Sequence, residues 1–129
     1  MKLRENYTCP VELVHDMIKG KWKSIILWSL RNGNVSFSTM KKDIKGISEK
    51  MLIEQLKELS EYGFVDKVTY EGYPLRVEYF LKKPNGEKIV EALAIMQAIG
   101  IDYFKDHGME HILIERGIIL NDNTLQKSK

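Results

Sequence analysis

Two short amphipathic segments joined by one tight turn constrain the fold of this 129-residue chain more than any other feature. The first segment runs over 38–45 and the second over 48–61, with a turn at Gly46 between them. Ser38 and Ser48 stand before these helical patterns, where a hydroxyl caps the free backbone N–H groups of a helix. The spacing predicts a helix-turn-helix.

A predicted β-hairpin follows directly. Residues 64–70 and 76–81 are rich in β-branched and aromatic side chains with approximate alternation, as strands are. The connection at 71–75 contains the Gly and Pro of a turn. A hairpin placed immediately after a helix-turn-helix is a wing.

Helical patterns flank this unit on both sides. One begins at Pro10 and a second covers 21–30, while a long helix is predicted from about Glu87 to Lys105. The long helix is apolar on two faces, and in so small a chain the second face most simply meets another subunit, giving a two-fold dimer. The candidate interface residues are Val11, Val14, Ile89, Leu93, Met96, Ile99 and Tyr103. Apolar residues at 112–114 and 118–120 add a further candidate segment.

These patterns predict an α+β, mainly α fold: a winged helix-turn-helix whose N-terminal and long C-terminal helices form a homodimer interface. Residues 1–121 form the single predicted domain, and 122–129 is expected to be a polar, flexible tail. No apolar run approaches the roughly 20 residues of a membrane span, so no membrane partner and a cytoplasmic location are expected. One cysteine excludes an intramolecular disulfide and Cys-rich metal sites, and no cofactor is expected.

The net charge of +2 hides an uneven distribution. Residues 1–45 contain nine Lys and Arg against four Asp and Glu. Charge of one sign gathered on a surface attracts a polyanion, although a solvated lysine face gives the same pattern. We call the following residues the positive cluster: Lys19, Lys21, Lys23, Arg31, Lys41, Lys42 and Lys45.

Several short motifs occur in a characteristic order between residues 9 and 93. They are Cys9-Pro10, Gly20-Lys-Trp-Lys23, Phe37-Ser38, Gly46-Ile-Ser48, Lys50-Met-Leu52, Gln55-Leu56, Glu58-Leu59, Gly63 and Pro74-Leu-Arg-Val-Glu-Tyr79. In order and spacing, they resemble the HxlR family of bacterial winged-helix transcription regulators, which are related in fold to the MarR type. The resemblance implies a homodimer that regulates transcription, more often as a repressor, by binding an inverted repeat in double-stranded DNA.

The resemblance also implies that the 48–61 helix enters the DNA major groove while the wing flanks it. A stripe of Leu52, Leu56 and Leu59 must face the core, which leaves the other faces for DNA. The candidate DNA-binding residues are Lys41, Lys42, Ser48, Glu49, Lys50, Ile53, Glu54, Lys57 and Arg76.

Individual roles differ among these candidates. The Lys50 amine suits guanine acceptors or phosphate, whereas Ser48 either donates to a phosphate or caps its helix. Arg76 either reaches the minor groove or a phosphate, or forms a cross-strand pair within the hairpin. Lys41, Lys42 and Lys45 are better suited to binding DNA phosphates than to reading bases.

Glu49 and Glu54 depart from the family, whose members often carry Gln, Thr or Arg here and at Ile53. Phosphates repel a carboxylate, although Glu accepts a hydrogen bond from cytosine N4. Ile53 suits a thymine methyl group. The acidic pair therefore favours selection against many DNA sites, and it also keeps open a winged-helix module that has lost DNA binding and pairs with protein.

Cys9 precedes Pro10 at a predicted helix N-terminus. The helix dipole, with basic neighbours such as Lys2, Arg4 or Lys21, favours a thiolate there. Some HxlR-type regulators use this cysteine to sense oxidants or electrophiles. One hypothesis is therefore that modification of Cys9, or a Cys9–Cys9 bridge between subunits, changes the spacing of the recognition helices. The alternative is a small buried apolar side chain.

A small effector bound at the dimer interface, against Tyr103 and Phe104, is the alternative to thiol sensing.

His107 and His111 have the spacing of metal ligands, but Gly108 stands where the zinc-protease pattern needs Glu, so no metal is expected. The chain has no Gly-rich phosphate loop and no nucleophile elbow, and an enzyme is not predicted.

Overall fold

The computed structural model describes residues 3–116, and within this range the chain forms six helices and three short strands. In chain order they are α1 (Pro10–Ile18), α2 (Lys23–Ser29), β1 (Val35–Ser36), α3 (Phe37–Asp43), α4 (Glu49–Glu61), β2 (Val65–Tyr70), β3 (Arg76–Leu81), α5 (Asn85–Asp106) and α6 (Glu110–Glu115). The apolar residues at 118–120 and the polar tail at 122–129 lie outside the described residues. No helix in the described range is long and apolar enough to cross a bilayer.

The predicted helix-turn-helix is formed by α3 and α4. Ser48 caps α4, because its Oγ accepts a hydrogen bond from the Met51 N–H at 3.0 Å. The predicted cap of α3 was wrong: Ser36, not Ser38, accepts from the Thr39 N–H, at 3.1 Å. The reason is that β1 is only two residues long, so the helix begins earlier than expected.

The wing is confirmed as an antiparallel hairpin. β2 pairs with β3 from Val65 opposite Leu81 to Tyr70 opposite Arg76. β1 adds to the other edge of β3, which gives a three-stranded sheet in the order β1-β3-β2. The sheet, the helix-turn-helix and the flanking helices together confirm the predicted winged helix-turn-helix fold.

The core lies between α2, α3, α4, α5 and the base of the hairpin. Leu52, Leu56 and Leu59 are all buried, which confirms the predicted apolar stripe of α4. Ile89 and Leu93 of α5, only 9% and 5% exposed, belong to the same core. Their assignment to a dimer interface is therefore corrected, since the first half of α5 turns these side chains into its own subunit.

The chain bends sharply between α5 and α6. Gly108 adopts a φ of +72°, a left-handed conformation that side chains disfavour, and α6 begins two residues later. His107 and His111 consequently do not share a helix face. Among residues 3–116, no group of three or more His, Cys, Asp or Glu side chains is arranged to hold a metal ion.

Candidate nucleic-acid interface

The outer face of α4 is polar, exposed and accessible. It lies opposite the leucine stripe and presents residues at helical spacing: Glu49, Lys50, Ile53, Glu54 and Lys57, all exposed. Two carboxylates alternate with two amines around one apolar side chain. Such a surface offers both hydrogen-bond donors and acceptors, which is what reading the edges of base pairs requires.

Ser48 lies at the N-terminus of this face. Its hydroxyl oxygen already accepts the Met51 N–H, so the capping role is observed. The hydroxyl hydrogen is free to donate to an acceptor in front of the helix. At the same end, the backbone N–H groups of the first turn give α4 partial positive charge.

The positive cluster divides into two parts in the fold. Lys41, Lys42 and Lys45 are exposed on and after α3, next to the turn that leads into α4. The earlier members are held locally. Lys19 pairs with Asp16, Lys21 lies over the Trp22 ring and Arg31 over the Trp28 ring, while Lys23 is buried. Lys41, Lys42 and Lys45 are therefore an exposed basic group beside α4, and of the earlier members only Lys23 is withdrawn from the surface.

Arg76 of the wing is engaged within the hairpin. Its Nη2 donates to Glu78 Oε2, and its guanidinium lies 5.6 Å from the ring centre of Tyr70, the residue opposite it on β2. The hydrogen bond from Arg76 lowers the pKa of Glu78, against the effect of burial. Of the two alternatives for Arg76, the contacts within the hairpin are the ones observed.

A buried lysine, which sequence reasoning placed in the positive cluster and in the motif Gly20-Lys-Trp-Lys23, connects α2 to α4. Lys23 is 2% exposed, and its Nζ lies 2.7 Å from Gln55 Oε1 and 2.6 Å from Glu58 Oε1. Its position in an amphipathic segment gives no sign of burial, since the partners are supplied by a helix more than 30 residues later. Lys23 therefore holds α4 against the rest of the domain from the side opposite its polar face.

Cys9 is exposed at the N-cap position of α1. The alternative of a buried apolar role is therefore wrong. The expected basic surroundings also differ: Arg4 pairs with Glu12 at 3.0 Å and Asp16 at 2.8 Å, and Lys21 lies on Trp22. Lys2 lies outside the described residues.

Asp16 anchors the segment that carries Cys9. Its buried carboxylate accepts hydrogen bonds from Arg4 Nε and Tyr7 Oη and pairs with Lys19 at 3.2 Å. The hydrogen bond from Arg4 is the main cause that lowers the pKa of Asp16 to about 2, with further contributions from Tyr7 and Lys19, although burial opposes ionisation. The N-terminal segment is thereby tied to α1.

The remaining interface candidates form exposed apolar surfaces on two helices. Val11 and Val14 are exposed on α1, and Met96, Ile99 and Tyr103 are exposed on α5. The Tyr103 ring stacks on His107 with ring centres 3.9 Å apart. Exposed apolar residues that repeat along a helix are typical of a surface that another chain covers.

An apolar cleft of about 280 Å³ lies beside this surface, between α2, α5 and α6. Phe104 lines it, whereas Tyr103 does not. Its walls are mostly aliphatic and aromatic, with the polar side chains of Ser24 and Gln97 at two points. The lining residues are Ser24, Ile25, Trp28, Leu93, Met96, Gln97, Gly100, Ile101, Phe104 and Leu113.

Known proteins resemble both the sequence and the fold. The HTH-type transcriptional regulator YtcD of Bacillus subtilis is 32% identical over 126 residues, which cover 97% of this chain and 98% of YtcD. A MarR-family regulator from Porphyromonas gingivalis W83 has a TM-score of 0.70 at 34% identity, covering 78% of this chain and 97% of that one.

A third protein is the redox regulator HypR, whose oxidised form has a TM-score of 0.66 at 34% identity. The match covers 71% of this chain and 94% of HypR. The family model described as HxlR-like helix-turn-helix matches residues 17–108, which include α2 to α5. The chain therefore belongs to the HxlR-like helix-turn-helix family and is a transcriptional regulator with a helix-turn-helix DNA-binding fold.

Proposed function

We propose that this protein is a homodimeric repressor that binds an inverted repeat of double-stranded DNA through α4 of each subunit. The observation that carries the proposal is the division of α4 into a buried leucine stripe and an exposed face of hydrogen-bonding side chains. An α-helix fits the major groove, where each base pair has a distinct pattern of donors and acceptors. The bound dimer would occupy promoter DNA and thereby repress transcription.

Each residue on the exposed face of α4 has a separate proposed contact with DNA. Lys50 donates to guanine O6 or N7, Ile53 contacts a thymine methyl group, and Glu54 accepts from cytosine N4. Lys41 and Lys42 contact phosphates beside the groove, which fixes the register without reading the sequence. The two carboxylates repel phosphates and thereby weaken binding to DNA that lacks the matching bases.

A second copy of the chain is the partner that the apolar surfaces of α1 and α5 require. Val11, Val14, Met96, Ile99 and Tyr103 would otherwise expose apolar area to water. Two-fold symmetry pairs each surface with itself, and the proposed dimer presents one α4 helix to each half of the operator. An inverted-repeat operator mirrors that symmetry.

Cys9 is the proposed sensor. Its thiol is exposed, and it lies two residues before Val11 on the α1 surface assigned to the dimer. HypR, a similar protein, is a redox regulator. Two Cys9 thiols, one from each subunit, would lose two protons and two electrons to a two-electron oxidant such as diamide, which becomes the hydrazine. The new S–S bond would draw the α1 helices together and change the distance between the α4 helices.

DNA binding is tested by selection of duplexes from a random pool, followed by fluorescence anisotropy of the enriched duplex at several salt concentrations. We expect an inverted repeat with half-site centres about 10–10.5 bp, or a larger multiple, apart. Lys42→Ala should reduce the salt slope by about 1, whereas Lys50→Ala should cost about 1–3 kcal/mol and relax the preference at one base pair. If no duplex is enriched, a winged-helix module that pairs with protein replaces this proposal.

Thiol sensing is tested with diamide on the same duplex. The oxidised wild type should lose affinity and recover it with dithiothreitol, and non-reducing electrophoresis should show a covalent dimer. Cys9→Ser is the matched control, because it retains the N-cap geometry and DNA binding without a thiol. Unchanged affinity of the oxidised wild type would remove Cys9 from the mechanism.

A small effector is a second candidate, favoured by the apolar cleft beside the proposed dimer surface. Its two polar wall residues, Ser24 and Gln97, would orient an apolar ligand with one hydrogen-bonding group. This alternative gains support if a promoter controlled by the Cys9→Ser variant is still fully derepressed in cells by the inducing compound. The effector hypothesis fails if Cys9→Ser abolishes this derepression while Gln97→Leu leaves it intact.

A further inference from the structure

The tip of the wing is apolar and open to water. Tyr73 is fully exposed and Leu75 is 66% exposed, in the loop between β2 and β3. Loops of soluble proteins are normally polar because they run through solvent. Neither side chain packs on the core of its own subunit, so the folded monomer gains little from either.

The tip also lacks the charge needed to hold phosphates. The segment 71–75 contains Glu71 and no Lys or Arg. The next residue, Arg76, is exposed at the base of the tip, and its guanidinium is paired with Glu78 and lies near the Tyr70 ring. Glu78 further accepts hydrogen bonds from Asn34 and Tyr70, both at 3.4 Å, which fixes the ion pair at the base of the tip. The side chains of this tip therefore offer DNA mainly apolar surface, with the Tyr73 hydroxyl as their one neutral hydrogen-bonding group.

The hairpin is attached rigidly to the end of α4. The Phe64 N–H donates to the Leu59 carbonyl of α4 at 3.0 Å, and Phe64 and Val65 are buried in the core. From Val65 the strand runs six residues, about 20 Å at ~3.3 Å per residue. Half a turn of B-DNA is about 17 Å. With α4 in a major groove, the tip can reach the neighbouring minor groove.

We propose that Tyr73 and Leu75 enter the minor groove flanking each half-site and act as an apolar wedge at one base step. The inference rests on the DNA binding proposed above and adds the role of the wing. Apolar side chains that enter the minor groove partly unstack a base step and bend the duplex. Pyrimidine–purine steps, such as TA and CA, deform most easily and are therefore the expected sites.

The test uses the selected duplex, with 2-aminopurine replacing adenine at each flanking step in turn. Wild-type protein should raise the 2-aminopurine fluorescence at one step on each side. The double variant Tyr73→Ser/Leu75→Ser should bind about tenfold more weakly, without the fluorescence rise. Its salt slope should stay unchanged, because an apolar contact releases no counterions. Both residues are exposed, so folding is not at risk.

Two variants serve as controls. Tyr73→Phe/Leu75→Met keeps the apolar tip and should retain the affinity and the fluorescence rise. Lys42→Ala should lower the salt slope and keep the fluorescence rise. If the serine variant binds like the wild type, or its salt slope falls as that of Lys42→Ala does, the wedge is wrong while DNA binding stands. If the wild type binds no duplex in a salt-sensitive way, the proposed function fails, and the wedge fails with it.

Discussion

Lys23 Nζ lies 2.6 Å from Glu58 Oε1, and this ion pair joins α2 to the helix assigned to DNA. The lysine side chain is almost fully buried, and Glu58 is mostly buried. Gln55 accepts a further hydrogen bond from the same ammonium group. Since a buried charge is costly without partners, the position of α4 and the ionisation of Lys23 depend on each other.

Lys23→Ala should therefore destabilise the protein by about 3 kcal/mol, because it leaves a partly buried carboxylate without this cation. Urea unfolding measures the change. Lys57→Ala, an exposed lysine on the same helix, is the matched control and should change the stability by less than about 0.5 kcal/mol. The double variant Lys23→Met/Glu58→Leu should recover part of the loss. If Lys23→Ala and Lys57→Ala destabilise the protein equally, the buried ion pair does not stabilise the position of α4.

The stability of the N-terminal segment should depend on pH through Asp16. The pKa of Asp16 is lowered to about 2 chiefly by the hydrogen bond from Arg4, from an ordinary value of 3.8. A lowered folded pKa means that the carboxylate stabilises the fold above about pH 4, and that this contribution is lost as the pH falls toward 2. Asp16→Asn should therefore flatten the stability curve between pH 4 and 2.

Chemical unfolding at a series of pH values checks this expectation. Asp43→Asn, at an exposed aspartate, is the control and should keep the slope of the wild type. A wild-type stability that does not fall across this window, or an Asp16→Asn variant with the same slope as the wild type, would contradict the role of the Arg4 contact.

Gly86 is required where α5 crosses the base of the hairpin. A Cβ on Gly86 would lie 2.2 Å from the Phe64 carbonyl oxygen, far closer than atoms can approach. Gly86→Ala should destabilise the fold by about 2 kcal/mol or more, despite the better helix propensity of Ala. Gly100 of the same helix has no atom within 4 Å of a Cβ position, so Gly100→Ala should stabilise it by about 0.5–1 kcal/mol. Thermal unfolding measures both changes in stability. If Gly86→Ala and Gly100→Ala change the stability in the same direction, the close approach of Gly86 to Phe64 is not what requires the glycine.

The dimer surface proposed on α5 can be tested by placing a charge in it. Ile99→Glu places a charge in the middle of the exposed apolar residues and should raise the dimer dissociation constant by about 30-fold or more. Sedimentation equilibrium measures this constant. Ile53→Glu adds the same charge at an exposed isoleucine on α4 and should leave the dimer intact. If Ile99→Glu remains as dimeric as Ile53→Glu, the interface lies elsewhere.

Local patterns in the sequence predicted most of the elements. The leucine spacing of α4, the cap at Ser48, the start of α1 at Pro10 and the hairpin strands are all observed close to where they were expected. These features depend on residues within a few positions of each other, so periodicity and capping chemistry are sufficient to find them. The exposed face of α4 follows directly, because burying one stripe of a helix exposes the opposite one.

Contacts between distant parts of the chain could not be predicted in this way. Lys23 looked like a member of a positive surface, yet its partners on α4 draw it into the interior. Ile89 and Leu93 looked available to a partner, yet α5 turns them into its own core. Arg76 looked equally suited to DNA and to the hairpin, until Glu78 and Tyr70 were placed beside it.

By itself, the sequence determined the winged helix-turn-helix and the exposed face of α4, since both depend on local spacing, and its motifs were sufficient for the family resemblance. Only the tertiary structure decided which charges remain accessible. Whether a cation meets solvent or a carboxylate depends on how helices and strands pack, and that packing joins residues far apart in the chain. Lys41 and Lys42 thus stay exposed beside α4, whereas Lys23, of the same chemical kind, is buried against α4 by its partners Gln55 and Glu58.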